Sequence, residues 1–156
     1  MPGAFALFIG MTAIPGVTFS GSPASQACEN IRNRFLGPWR LVWLEEAGPD
    51  GKIHKADCTG LLVYTRDGHM SVQVMYRNPQ AGAHAGPVQY SQGGYEVSYG
   101  TYRIEDARTF TYRVDGALVR TLVGKDFTRA YEFSGRQLVV RSPNPNEHWR
   151  VAWEHY

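Results

Sequence analysis

The residues best equipped for chemistry in this sequence are tyrosines and arginines that alternate with apolar side chains. In Thr109 to Asp115, Phe110, Tyr112 and Val114 share one parity, and in Tyr95 to Ile104 so do Gly100, Tyr102 and Ile104. In Phe127 to Ser134, Arg129 keeps step with Tyr131 and Phe133, and Glu132 falls on the opposite side. Side chains two apart on a strand point the same way, so these patterns predict phenols and one guanidinium on an inward face. A buried guanidinium must be paired or fully hydrogen-bonded. Two roles therefore stay open for Arg129: bonding the tyrosines while stacked on a ring, or holding a carboxylate, phenolate or carbonyl of a ligand. In Thr59 to Thr65 both faces are apolar; we prefer Leu62 and Tyr64 inward over Leu61 and Val63, with Gln73 as the polar partner of Tyr64 on the next strand.

Other chemistries find less support. The histidines are His54, His69, His84, His148 and His155, and no two stand at i, i+2 or i, i+4, so no metal motif is present. His155 alone does not nominate a haem, and no cofactor is expected. Cys28 and Cys58 form neither a Cys-x-x-Cys pair nor a zinc-finger spacing. Gly-x-Ser-x-Gly and phosphate-cradling glycine motifs are lacking too.

The elements that must position the tyrosines are strands. Turn residues at Arg66-Asp67-Gly68, Glu105-Asp106-Ala107 and Ser134-Gly135-Arg136 separate short alternating runs, which makes sequential neighbours antiparallel. We read eight strands: Trp39 to Glu45, Thr59 to Thr65, His69 to Tyr76, Tyr95 to Ile104, Thr109 to Asp115, Phe127 to Ser134, Gln137 to Ser142 and His148 to His155. Asn78 to Gly94 lacks any period and predicts a mobile loop at the mouth. A short helical segment is expected around Glu29 to Phe35. Eight strands without a helical crossover predict an all-β fold, an eight-stranded antiparallel up-and-down β-barrel; a β-sandwich is the runner-up. Trp39, Leu41 and Trp43 share a face in the first strand, as do Trp149, Val151 and Trp153 in the last. Closure predicts that these tryptophans meet inside along the seam.

With 156 residues the chain has room for one domain, and a net charge of +2 with interspersed signs gives no reason to expect a nucleic-acid partner. The sharpest boundary is charge itself: residues 1–27 carry none, and residues 28–156 are assigned to the barrel domain. The apolar stretch Ala4 to Phe19 followed by the small residues of Pro23 to Ala27 resembles a secretory signal, although no Lys or Arg precedes it and Pro15 interrupts it. Cleavage would make the protein secreted or periplasmic; retention would make it cytoplasmic. Gly10, Pro15 and Gly16 argue against a membrane span. A homodimer is left open.

Several motifs carry a resemblance. Gly37-Pro38-Trp39 resembles the Gly-x-Trp signature that opens the first strand of lipocalins. More specifically, Gly60-Leu61-Leu62-Val63-Tyr64-Thr65, Asp67-Gly68-His69-Met70-Ser71-Val72-Gln73, Tyr99-Gly100-Thr101-Tyr102, Gly124 with Arg129, and Trp153-Glu154 resemble the lipocalin-like domain family of bacteria and fungi. The likeness spans about residues 36 to 155. It implies a lipocalin-like barrel, and it adds that Arg129 could be a strut packed against Trp39. The chain departs from the family pattern at Tyr112-Arg113-Val114-Asp115, where His-His-Val-Glu is common, at Arg120-Thr121-Leu122, in place of Pro-Asn-Trp, and at His155, in place of Arg.

These readings converge on a cup for an apolar or aromatic small molecule, lined by Arg129, Tyr112, Tyr102, Tyr64, Tyr131, Trp43 and Gln73. The alternative is a cofactor-free isomerase or cyclase acting on a polyketide- or terpenoid-like substrate. The resemblance contributes to that reading, because some family members are encoded among natural-product genes. Arg129 and Tyr112 would then polarise a carbonyl.

Overall fold

The computed structural model describes residues 23–78 and 93–156. Helix α1 (Pro23–Phe35) leads into strands β1 (Gly37–Ala47), β2 (Ile53–Lys55), β3 (Cys58–Tyr64), β4 (His69–Tyr76), β5 (Tyr95–Ile104), β6 (Thr109–Ala117), β7 (Asp126–Ser134), β8 (Gln137–Arg141) and β9 (Trp149–His155). A single 3₁₀ turn, Arg120–Leu122, lies between β6 and β7. The apolar N-terminal stretch, through residue 22, and most of the expected mouth loop, residues 79–92, lie outside the described residues. The helix starts at Pro23, so the boundary drawn at Cys28 falls within it.

Each long strand pairs antiparallel with the next, and β9 pairs back on β1, which closes eight strands into a barrel. Closure leaves no long unpaired edge. The eight expected strands are all present, two with the expected bounds and the rest with ends displaced by one or two residues. The three-residue β2 was not anticipated. It extends the β1 hairpin through Glu45↔Lys55 and Ala47↔Ile53 and is exposed throughout, so no alternation marks it in the sequence.

Alternation elsewhere is clear: Leu62 and Tyr64 on β3, Met70, Val74 and Tyr76 on β4, and Phe110, Tyr112 and Val114 on β6 are all buried. Two irregularities break the period. The β1–β9 register jumps between Leu41↔Trp153 and Trp43↔Ala152, a bulge with one extra residue on β1. A one-residue slip exchanges the faces of everything after it, so Leu44 and Glu46 are buried and Trp43 is turned out, with the Arg150 guanidinium 5.4 Å from its ring centroid. The expected seam of four inward tryptophans is corrected accordingly. The two strands are neighbours, but Trp39 stacks on His155 at 3.6 Å between centroids, and Trp43 does not join it. The second jump lies between Tyr99↔Gly116 and Gly100↔Val114. There a Cβ on Gly100 would stand 1.9 Å from the Arg113 carbonyl oxygen, so only glycine permits the approach.

One end of the barrel is plugged. Phe35, the last residue of α1, is 0% exposed and sits among the rings of Tyr64, Tyr102, Phe110, Tyr131 and Phe133, with centroids 4.8 to 6.3 Å away. Helix ends leave carbonyls without partners; here the Trp39 indole N–H donates to the Phe35 carbonyl at 2.7 Å. Arg34 lies over Phe133 at 3.9 Å and covers the cluster from outside.

Candidate functional site

Above the plug the barrel holds a cavity of about 100 Å³. Its walls are mostly aliphatic and aromatic, among them Leu62, Val72, Val74, Val140, Val151, Trp149 and Trp153, and Leu122 of the 3₁₀ turn stands at its edge. Polar groups interrupt this surface: Tyr64 from β3, Glu96 and Ser98 from β5, Tyr112 from β6 and Arg129 from β7.

Tyr112 is 6% exposed, and its hydroxyl makes no hydrogen bond within the described residues. Burial is the main cause that pushes this phenol up to about 12. Ser98 and Arg129 act in the opposite direction, Ser98 without reaching hydrogen-bonding geometry. An orphaned polar atom in a core is uncommon because it forfeits its water partners and gains none. Glu96 is only partly covered from solvent but lies against the cavity, and desolvation raises its carboxyl to about 7 against the opposing pull of Arg129. At neutral pH both its charged and neutral forms are therefore populated. The Arg129 guanidinium lies 4.9 Å from the Phe127 centroid and 5.2 Å from that of Trp149, and Nη1 donates to the Thr128 carbonyl at 3.3 Å. These two rings flank it beside the cavity.

Of the residues nominated by sequence, the fold brings Arg129, Tyr112 and Tyr64 to the cavity. Tyr64 is fully buried, which pushes its phenol far above its usual range. Tyr102 and Tyr131 also point inward but belong to the plug, where their hydroxyls donate to the carbonyls of Thr65 at 3.1 Å and Asp106 at 2.9 Å. Trp43 and Gln73 are not on the wall. The β1 bulge turns Trp43 outward, and on β4 the inward parity belongs to Met70, Val72 and Val74, so Gln73 faces out and accepts a hydrogen bond from the Tyr95 hydroxyl at 3.1 Å.

Sequence reasoning missed Glu96 and Ser98, although the parity that placed Gly100 and Tyr102 inside runs back to both of them. It also missed Glu46, which only the bulge turns inward. Glu46 is buried and accepts a hydrogen bond from Tyr76 at 3.2 Å. Beside this pair, Cys58 is a buried free thiol pushed up to about 11, chiefly by burial and then by Glu46, so it is a poor nucleophile. Cys28 is free and exposed.

A family model described as the lipocalin-like domain matches residues 36–154. The chain belongs to the lipocalin-like domain family. Similar solved structures include a lipocalin-like protein from Bacteroides uniformis, with 16% identity and a TM-score of 0.48, which covers 79% of this chain and 99% of that one. Another is an uncharacterized protein from Bacteroides eggerthii, with 15% identity, a TM-score of 0.47, and coverage of 78% and 99%. No curated protein matches. As in the lipocalin-like fold generally, the barrel interior is the place suited to a small molecule. Among the described residues no group of three metal-ligating side chains is found, and no helix is long and apolar enough to cross a membrane.

Proposed function

We propose that the protein binds a small apolar or aromatic molecule in the barrel cavity, with a hydrogen-bond acceptor on the ligand facing Tyr112 and Arg129. The observation that carries this reading is Tyr112, which lines an apolar hollow and whose buried hydroxyl makes no hydrogen bond among the described residues. A ligand carbonyl would satisfy it and would also face the guanidinium held over Phe127 and Trp149. Size narrows the class. An engineered cavity of about 150 Å³ accommodates benzene; the described space of about 100 Å³ is smaller, which sets one small ring as the upper bound and disfavours a polycyclic skeleton.

Trp149 and Trp153 line the cavity and supply the signal. Titration with cyclohexanone should change their fluorescence saturably, and Tyr112→Phe should weaken binding by about tenfold, the value of one hydrogen bond in a dry site. Equal affinity in the two proteins, or no saturable change, would contradict the reading.

A further inference from the structure

We propose that the cavity is an acid–base site in which Glu96 exchanges a proton with an enolisable carbonyl compound whose oxygen is held by Tyr112 and Arg129. The inference rests on the binding reading above and adds chemistry to it.

Three observations converge. First, Glu96 is a carboxyl group placed against an apolar hollow, with Ser98 two residues along the same face of β5. Second, Tyr112 from β6 lines the same small space, and its buried hydroxyl has no hydrogen-bond partner among the described residues. Third, Arg129 from β7 is fixed by two rings and acts electrostatically on both. A base, a neutral donor and a cation around one cavity form the set that enolisation requires. The base removes a proton from carbon, and the donors stabilise charge that develops on oxygen.

The step balances without a co-reactant. The ionised Glu96 takes the α-proton, and the C–H electron pair becomes the C=C bond. The carbonyl π pair moves onto oxygen, where the Tyr112 O–H and Arg129 receive it as an enolate. Glu96 then returns the proton to carbon. Return to the same carbon gives exchange; return to the γ-carbon of a β,γ-unsaturated ketone gives the conjugated isomer. The substrate class is a compact, mostly apolar ketone, and the reaction class is cofactor-free proton transfer or double-bond isomerisation.

Groups that face Glu96 set its working range. Arg129 on β7 favours its ionised form; Tyr76 on β4, itself bonded to Glu46 on β1, and Tyr112 on β6 lie within its electrostatic reach. With the carboxyl raised to about 7, activity should climb with pH through neutrality and then level off.

The test is loss of the α-protons of cyclohexanone in deuterated buffer, followed by proton NMR with binding measured in parallel from tryptophan fluorescence. Expected are exchange above the buffer rate, a fall of about a hundredfold or more in Glu96→Gln and in Tyr112→Phe, and partial activity in Glu96→Asp. In Arg129→Met the pH midpoint should move up. Bound ketone that exchanges at the buffer rate, or exchange unaffected by Glu96→Gln, would overturn the inference and leave the binding reading standing. Absence of binding would overturn both.

Discussion

A phenol hydroxyl buried without a partner costs about 1–3 kcal/mol, and the Tyr112 hydroxyl has none among the described residues. Tyr112→Phe should therefore raise stability by about 1 kcal/mol while weakening ligand binding; thermal unfolding of the two proteins checks the sign. Glu96 adds a pH dependence with a definite direction. Its carboxyl titrates near 4.5 when unfolded and near 7 when folded, so between those values the folded state holds the extra proton. Stability contributed at this residue is full below the lower value, declines as pH rises through the window and is constant above it. Glu96→Gln should match the wild type at the acidic end and exceed it, by at most about 3 kcal/mol, at slightly alkaline pH, as read from urea midpoints at several pH values. At this scale the sequence was partly legible. Strict alternation placed Tyr112, Arg129 and Tyr64 correctly, because β6, β7 and the inward half of β3 keep their period. Trp43 was lost to a bulge that composition does not announce. Gln73 was lost because β3 and β4 are apolar on both faces, so parity could not select a side.

At the scale of elements, α1 shows how a short amphipathic segment acquires a function it could not have alone. Its hydrogen bonds could not maintain thirteen residues as an isolated helix in water; it is held by Phe35 in a ring cluster and by the Trp39 indole on its last carbonyl. Phe35→Ala should cost about 3–5 kcal/mol. Chemical denaturation measures this, and a cost below about 1 kcal/mol would show that the plug is not part of the core. The sequence predicted a helical segment from Glu29 onward, yet nothing in it revealed that Phe35 would cap the barrel, since that follows from long-range packing. The turns were more legible. At Glu105-Asp106-Ala107 the Asp106 carboxylate accepts the N–H groups of Arg108 and Thr109, each at 2.7 Å, and at Gly68 and Gly135 the backbone adopts positive φ.

At the scale of the molecule, the closed sheet separates two ends with different chemistry. The α1 end is filled by rings whose polar tips are satisfied by backbone carbonyls. Toward the opposite end lie Glu96 and Arg129 on the cavity wall and the hydrogen-bonded Glu46–Tyr76 pair. Closure does not depend on the charge pairs that cross the seam. Arg40–Glu154 and Arg150–Glu45 are short, at 2.6 Å each, but their arginines are more than half exposed, and such pairs contribute about 0–1 kcal/mol. Burial of Trp39, Leu138, Ala152 and Trp153 beside the seam is the larger effect. The central claim is that a small molecule enters this interior, and methyl NMR tests it most directly. On titration with cyclohexanone, saturable shifts should be confined to methyl groups that line the cavity, among them those of Leu62, Val72, Val74, Val114, Val140 and Val151. Shifts centred instead on the exposed Val42, Leu118 and Val123, or no saturable shifts at all, would contradict it.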